Sequence, residues 1–463
     1  MSHQPSAFER FANQLTRQGD VIDSLRDGLI GGDALIETPF GPRKLIYADY
    51  VASGRALRQV ETFVMEEVLP YYANSHTEAS FCGAHTTRLR EEARGVIARL
   101  TNAPRADNAV IFSGAGATSG LNQLVHLLNV DANATVLVGP YEHHSNLLPW
   151  RESGARVIEI PEAPDAGPDL AALKAALEAH SKTGPVIVAM SAAANVTGVC
   201  ADVVAVTRLV KRHGGLMVWD YAGGGPYLKM DMAPEAGADI DAIVFSGHKF
   251  IGGPGASGVL ILRRDAVRTS VPYRPGGGTV AFVNAHQHDY VTHLEQREEG
   301  GTPNVIGDIR VALAMIAKDV IGQAYFDARN WELARGSFAA WGAHPNIHIL
   351  ASERRERLPI LSFVPYTNEG ERIDHNAFTR ALSDHFGIQA RGGCSCAGPY
   401  VHALLGIDDA TSSTIRADIL HGDNASKPGF VRLNLSVLMH DETVDFILAS
   451  VAELASGWTA QAA

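Results

Sequence analysis

Seven short apolar runs between residues 109 and 262 constrain the fold more than any other feature of the chain. They are rich in β-branched residues and alternate with segments of helical character. Runs that are apolar on both faces are typical of parallel strands covered by helices. We therefore predict an α/β protein with a mostly parallel seven-stranded sheet. The runs are 109–112, 135–139, 156–160, 185–190, 216–220, 242–246 and 258–262.

The pattern changes after about residue 325, where longer polar helices surround one further apolar run at 359–364. A chain of 463 residues is also too long for one hydrophobic core to cover efficiently. We predict three parts. They are an N-terminal segment 1–45 packing on the small domain or the rim, a large domain 46–325, and a smaller α/β C-terminal domain 326–463 that carries a cysteine loop.

Charge and composition argue against several classes of partner. The formal charge of -12 is spread along the chain without a basic stripe, which disfavours nucleic acid. No stretch approaches the ~20 apolar residues of a membrane-spanning helix, and the polar N-terminus does not resemble a secretory signal. These features predict a cytoplasmic protein with no membrane partner. Its four cysteines are expected to be reduced, and they are Cys82, Cys200, Cys394 and Cys396.

The segment "FSGAGATSG", residues 112–120, follows an apolar run and opens a predicted helix. A glycine-rich turn at a helix N-terminus presents free N–H groups, which bind phosphate. A dinucleotide site would also need an acidic residue after the next strand, where Gly139 and Pro140 stand. The pattern therefore favours a single phosphate group over a dinucleotide or a purely structural turn. Ala117 and Thr118 are the predicted ligands.

Asp220 and Lys249 each follow an apolar run of the predicted sheet. In an open parallel sheet such positions gather along the carboxyl edge, where ligands bind. The two groups could form a plain ion pair. With a phosphate site on the same edge, they favour pyridoxal 5'-phosphate instead. Lys249 would form a Schiff base with it, and Asp220 would keep its ring nitrogen protonated.

The segment "SGHKFIGGPGASGVL" resembles the cofactor-lysine motif of class V pyridoxal phosphate enzymes. These fold-type I enzymes include cysteine desulfurases and selenocysteine lyases, and the resemblance spans about residues 45–450. "YEHHSNLLPW" resembles the block whose first histidine stacks on the cofactor ring, which implies that role for His143. The resemblance implies further contacts: Asn195 near the ring hydroxyl and the substrate, Ser246 and His248 at the phosphate, and Thr302 at the phosphate of a neighbouring subunit. The last contact implies a homodimer.

One position departs from the family pattern. The family usually has a glutamine three residues after the aspartate, in contact with the ring hydroxyl, and this chain has Gly223 there. That hydrogen bond is therefore expected to be absent or supplied by another residue. The change leaves cofactor binding in place and concerns the desulfurase chemistry instead.

The segment "QARGGCSCAGPY", residues 389–400, joins glycines to two thiols, as a mobile nucleophile requires, although a tight turn alone would also favour small residues. It resembles the R-x-G-x-x-C-A-x-P loop of sulfur-mobilising desulfurases. The resemblance implies substrate binding by Arg391 and sulfur acceptance by Cys396, with Cys394 able to share or replace that role. Arg432, in "PGFVRLNLS", stands at the family's position for the substrate carboxylate, with a surface salt bridge as the alternative.

No metal site is predicted. The set Cys394, Cys396 and His402 is too compact for an ordinary tetrahedral site. His286, His288 and His293 are irregularly spaced and fit loop or interface positions better.

The resemblance implies a cysteine desulfurase-like enzyme. It would remove sulfur or selenium from L-cysteine or a related amino acid through a persulfide on Cys396, and a sulfur-acceptor protein is a possible partner. The alternative within the family is an aminotransferase, epimerase or C–S lyase that acts on another amino acid and does not use the loop thiol. A binding or regulatory protein without turnover is the alternative from another class.

Overall fold

The computed structural model describes residues 5–17, 19–74, 78–423 and 427–458. All seven predicted runs form strands of one sheet, which confirms the α/β prediction. The strand Gly258–Arg263 is antiparallel to both its neighbours, and the remaining pairs are parallel. The spatial order is Asn108–Gly114, Gly258–Arg263, Ala242–Ser246, Leu216–Asp220, Val186–Ser191, Thr135–Val138 and Arg156–Glu159.

Side chains of this sheet alternate between two hydrophobic clusters, one on each face. Trp219 and Phe245 belong to one cluster, whereas their neighbours Val218 and Val244 belong to the other. All four are fully buried. Because both faces are covered, the strands carry continuous apolar runs.

Helices cover both faces of the sheet. In the large domain they are Arg58–Phe63, Phe81–Leu100, Gly116–Leu127, Leu148–Glu152, Leu170–His180, Val203–Arg212, Leu294–Glu298 and Val305–Ile321. A π-helical turn Val64–Val68 and the short 3-10 turns Leu69–Tyr71, His144–Asn146, Gly247–Lys249 and Arg264–Ala266 complete this part. Asp169 and Asp202 cap two of the helices by accepting hydrogen bonds from backbone N–H groups, as N-cap residues commonly do.

The C-terminal part is built on a four-stranded antiparallel sheet with its own core around Trp341, Phe363 and Phe378. Its strand order is Ile347–Ile349, Ile360–Pro365, Phe430–Asn434 and Arg391–Gly393. The helices are Gln323–Trp341, His375–Phe386, Gly398–Leu404, Asp409–Leu420 and Asp441–Ser456. Two-stranded pairings join Leu35–Ile36 to Arg43–Lys44, Ile46–Tyr47 to Ile388–Gln389, and Val280–Val283 to His288–Tyr290.

The N-terminal segment contacts both parts of the molecule. Its helices are Ala7–Arg17 and Val21–Asp27. Phe8 and Phe11 of the first helix each lie 5.6 Å, between ring centroids, from Phe63 of the large domain. Arg26 of the second helix donates a hydrogen bond of 3.0 Å from Nε to the carbonyl oxygen of Leu438 in the C-terminal part. The domain boundaries at residues 45 and 325 stay a prediction.

Over the described ranges, none of the helices combines the length and the apolar character needed to cross a membrane.

Candidate active site

A cavity of about 220 Å³ lies at the carboxyl ends of the parallel strands. Its lining residues all come from the stretch between Ala115 and Lys249. They include every predicted cofactor residue except Thr302, namely Ala117, Thr118, His143, Asn195, Asp220, Ser246, His248 and Lys249. The fold therefore brings together residues from several separate turns at the sheet edge where ligands of open α/β sheets bind.

One wall of the cavity is the turn at residues 115–118, which we name the anion-binding turn because its chemistry suits an anion. Gly116 has a φ of +66° and begins the helix Gly116–Leu127. The backbone N–H of Ala117 donates a hydrogen bond of 2.9 Å to Ser246 Oγ. A Cβ atom on Gly116 would lie only 3.0 Å from that hydroxyl and 3.1 Å from the ring of His248. Glycine thus lets a helix N-terminus, a hydroxyl and an imidazole converge, which is the chemistry of a phosphate site.

Two neighbours fix this turn in place. Thr118 Oγ1 lies 2.7 Å from Ser145 Oγ, so its hydroxyl is tied to the loop that also carries His143. On the opposite side, the backbone of Gly258 approaches so closely that a Cβ atom there would collide with the carbonyl group of Gly116. The antiparallel strand Gly258–Arg263 therefore packs directly against the anion-binding turn.

Asp220 and Lys249 line the same cavity. Burial raises the pKa of Asp220, while a hydrogen bond of 2.7 Å from the Ala222 N–H and the charge of Lys249 oppose that rise. Burial lowers the pKa of Lys249 to about 8, although the charge of Asp220 opposes the effect. A buried carboxylate suits a cationic ring nitrogen as its partner. An amine of lowered pKa suits condensation with an aldehyde.

His143 contributes a neutral ring to the cavity. Burial, and secondarily the charge of Lys249, lowers the pKa of His143 to about 4. Its Nδ1 accepts a hydrogen bond of 3.1 Å from the Ser145 N–H. The preceding Glu142 is buried and accepts hydrogen bonds from the backbone and the hydroxyl of Ser191, at 2.9 and 2.8 Å. Glu142 thus anchors the histidine turn to a strand end, a role that the sequence analysis missed.

Both predicted substrate arginines bind one carboxylate. Asp49 lies 2.9 Å from Arg432 Nη2 through Oδ1 and 2.9 Å from Arg391 Nε through Oδ2. Arg432 is buried and donates another hydrogen bond, 3.1 Å, to the carbonyl oxygen of Asn195. Its ion pair is therefore an interior one that adjoins the cavity wall. The sequence analysis missed Asp49, which lies more than 300 residues from either arginine along the chain.

The predicted thiol loop is a turn over Cys394–Ala397 between strand Arg391–Gly393 and helix Gly398–Leu404. Cys396 is exposed, whereas Cys394 is partly buried against an apolar cluster. The Asn195 side-chain amide donates a hydrogen bond of 2.8 Å to Ser395 O. The fold thus joins the exposed thiol's turn to a residue of the cavity. All four cysteines are free.

The family model described as "Aminotransferase class-V" matches residues 46–445. The chain belongs to the class-V aminotransferase family. A relative from Vibrio cholerae, named "Probable cysteine desulfurase", is 30% identical over 371 residues, covering 78% of this chain and 86% of that protein. A "Cysteine desulfurase" from Enterobacter is 28% identical over 363 residues, covering 77% and 85%.

Solved structures agree with this fold. A cysteine desulfurase from Thermococcus onnurineus superimposes with a TM-score of 0.72 at 24% identity, covering 89% of this chain and 95% of that one. A cysteine desulfurase from Escherichia coli gives 0.70 at 24% identity, covering 88% and 94%. The predicted family and fold type I are thereby confirmed, and the chain is an enzyme of the class-V aminotransferase family.

Class-V aminotransferases use pyridoxal phosphate, and the residues of this cavity fit that group. The anion-binding turn suits its phosphate, Asp220 its ring nitrogen and Lys249 its aldehyde. Asn195 Oδ1 provides a further test, because it is buried without a hydrogen-bond partner in the described structure. A ring hydroxyl would supply the missing donor.

The departure at Gly223 from the class-V pattern has a structural cause. Gly223 lines the cavity, and a Cβ atom there would lie 2.9 Å from the carbonyl oxygen of Ala193. The backbone of Gly223 therefore lies too close to the carbonyl oxygen of Ala193 for a residue that carries a side chain. A glutamine would require the backbone to move.

Thr302 is exposed and lies outside the cofactor cavity of its own chain. It lines a second cavity together with Arg274, Glu299 and Asp308. Its contact with the phosphate of a neighbouring subunit stays a prediction. Among the residues that the structure describes, no group of three or more histidine, cysteine or acidic side chains is arranged to hold a metal ion.

Proposed function

We propose that this protein is a pyridoxal phosphate-dependent cysteine desulfurase. It would convert L-cysteine, or a closely related thiol or selenol amino acid, to alanine and hold the released sulfur on Cys396. The main support is the hydrogen bond between Asn195 and Ser395, because it links the thiol-bearing turn to the cofactor cavity. The names of the Vibrio and Enterobacter relatives agree with this proposal.

Each of the following side chains would have a different role in the reaction. When bound, pyridoxal phosphate supplies an electrophilic carbon for amines and a ring that accepts electrons. Lys249 would hold it, and Asp220 would keep a proton on its ring nitrogen. Arg432 would orient the substrate carboxylate with its guanidinium group. A free, neutral Lys249 amine would take the α-proton of the substrate at Nζ.

Cys396 would take the sulfur. Its thiolate attacks the substrate sulfur, so that a new S–S bond forms while the Cβ–S bond breaks. The electron pair of the broken bond remains on Cβ, which then takes a proton. The net reaction converts cysteine and the Cys396 thiol to alanine and a Cys396 persulfide. A thiol of an acceptor protein would remove that sulfur.

Purified holoenzyme incubated with L-cysteine tests the proposal. We expect alanine to form and a persulfide to be found by mass spectrometry on the peptide that contains Cys396. Cys396→Ser should lower the rate by at least ~100-fold, as loss of a catalytic nucleophile does. The matched Cys394→Ser variant should retain most of the activity.

Other outcomes would assign another reaction. Pyruvate and sulfide as products would indicate a C–S lyase, and full activity of Cys396→Ser would exclude a role for this thiol. Transfer of the amino group to a keto acid would indicate an aminotransferase, and inversion at Cα an epimerase.

We further propose a homodimer in the cytoplasm and a protein partner that accepts the sulfur. The exposed position of Cys396 supports access by such a partner. The dimer is supported by the position of Thr302 outside the cofactor cavity of its own chain.

A further inference from the structure

We propose that His144 is a positioning residue that holds the turn Cys394–Ala397 over the cofactor cavity. This inference rests on the proposed function, in which the Cys396 thiol must meet a substrate bound in that cavity. His144 is adjacent in sequence to His143, which lines the cavity, yet His144 itself is not among the lining residues.

His144 contacts the C-terminal end of the thiol turn through two hydrogen bonds. Its backbone N–H donates a hydrogen bond of 2.8 Å to the carbonyl oxygen of Cys396. Its ring atom Nε2 accepts a hydrogen bond of 2.9 Å from the backbone N–H of Gly398. One residue of the large domain therefore holds the carbonyl group of the thiol residue and the first residue of the helix Gly398–Leu404.

The close approach at Gly398 supports a specific contact. A Cβ atom on Gly398 would lie 3.2 Å from His144 Nε2, so glycine allows the ring to reach the backbone there. Nε2 must be unprotonated to accept the hydrogen bond, which places the proton of the neutral ring on Nδ1. Burial, followed by the charge of Arg151, lowers the pKa of His144 and so favours this neutral form.

The turn needs such contacts because its backbone is unfavourable. Ser395 and Cys396 have φ angles of +52° and +56°, a region that side chains with a Cβ atom disfavour. Two consecutive residues of this kind persist only where the surroundings hold them. Asn195 holds the turn through the carbonyl oxygen of Ser395, and His144 holds it through the carbonyl oxygen of Cys396.

The two consecutive histidines therefore have separate tasks. His143 faces the cofactor cavity and His144 faces the thiol turn, with ring centroids 6.1 Å apart. A single planar peptide bond joins the two residues, which limits how far the contact with the thiol turn can move relative to the cavity wall.

Two substitutions separate the ring contact from general folding. His144→Leu removes the acceptor, whereas the amide oxygen of His144→Gln can still accept from Gly398. His402→Leu is the matched control. His402 lies in the helix Gly398–Leu404 that follows the turn, and its side chain makes no hydrogen bond to the turn. Circular dichroism and the visible absorbance of the holoenzyme report on folding and cofactor content.

The first readout is the alkylation rate of Cys396 by iodoacetamide, followed by peptide mass spectrometry. It needs no turnover. His144→Leu should raise this rate about fivefold, the change expected for one net hydrogen bond, while His144→Gln and His402→Leu remain near the original rate. Equal rates in all four proteins, or an equal rise in the leucine and glutamine variants, would overturn the proposal.

The second readout is alanine formation from L-cysteine. His144→Leu should lower kcat roughly tenfold through misplacement of the thiol, with KM almost unchanged, and His144→Gln should restore most of it. An unchanged kcat in His144→Leu would overturn the positioning role. If the original enzyme forms no alanine, the proposed function fails, and the alkylation rates still decide whether His144 holds the turn.

Discussion

As the proposed Schiff-base lysine, Lys249 would set the pH range in which this site acquires its cofactor. A lysine reacts with an aldehyde only as the neutral amine. Because burial lowers the pKa of Lys249 to about 8, a substantial fraction of the amine is already neutral near physiological pH. An ordinary lysine, with a pKa near 10.5, would be almost fully protonated there.

The first prediction follows from this pKa. The rate at which apoenzyme binds pyridoxal phosphate covalently should rise with pH, because deprotonation produces the reactive amine, and its midpoint should lie near pH 8. Stopped-flow absorbance between pH 6.5 and 10 measures the rate. A midpoint near 10.5, or a rate independent of pH, would contradict the assignment of Lys249.

Asp49 forms ion pairs with both Arg391 and Arg432 beside the cavity. Asp49→Asn should lower the free energy of unfolding by about 3 kcal/mol, because Arg432 would remain buried without a counter-charge. Urea denaturation measures the change. The control Asp33→Asn removes a carboxylate whose ion pair with Lys44 is exposed, and it should leave the stability unchanged. Equal effects of the two substitutions would contradict this account.

Of the two acidic residues at the site, Asp220 could be identified from the sequence and Asp49 could not. Asp220 ends an apolar run, and parallel strand ends share one edge, so its place near Lys249 could be predicted. Asp49 follows the two-residue strand Ile46–Tyr47 and meets its arginines only after the C-terminal sheet has packed. His144 belongs to the motif "YEHHSNLLPW", but its contact with Gly398 depends on tertiary packing and could not be predicted from the sequence.

At the scale of elements, the direction of one strand was less predictable than its existence. The run at 258–262 shows a buried strand, and apolar composition does not distinguish parallel from antiparallel pairing. In the structure Gly258–Arg263 lies between Asn108–Gly114 and Ala242–Ser246 and is antiparallel to both. Its first residue thereby reaches the anion-binding turn at Gly116.

Gly258→Ala tests that support. The added methyl group would displace the carbonyl group of Gly116, and overpacking of this kind typically costs about 1–3 kcal/mol. Since the displaced segment is the anion-binding turn, the affinity for pyridoxal phosphate should fall roughly tenfold or more. Equilibrium titration by fluorescence measures the affinity. Gly336→Ala is the control, because a Cβ atom at that helical glycine meets nothing within 4 Å. Equal affinities in the two variants would refute the proposed support.

At the scale of the whole molecule, the proposed role of Thr302 predicts that subunits complement one another. A Lys249→Ala subunit has no Schiff-base lysine, and a Thr302→Ala subunit would weaken the phosphate site of its partner. In a mixed dimer, the subunit that keeps Lys249 receives an intact Thr302 from the other subunit. Mixed dimers should therefore contain one site with the original cofactor affinity.

Co-expression with two affinity tags yields the mixed dimer, and titration with pyridoxal phosphate measures its sites. The Thr302→Ala homodimer is the control and should bind more weakly. If the mixed dimer binds no better than this control, Thr302 does not serve the neighbouring subunit. A monomeric protein that binds the cofactor normally would refute the same assignment.

The lining of the cofactor cavity ends at Lys249, whereas Cys396 and Arg432 follow much later in the chain. Synthesis therefore separates the two sets of residues in time. At about 5–20 residues per second, roughly 10 to 40 seconds pass between translation of Lys249 and translation of Arg432. A growing chain of this protein therefore contains the whole lining of the cavity well before it contains the proposed sulfur-accepting and substrate-binding residues.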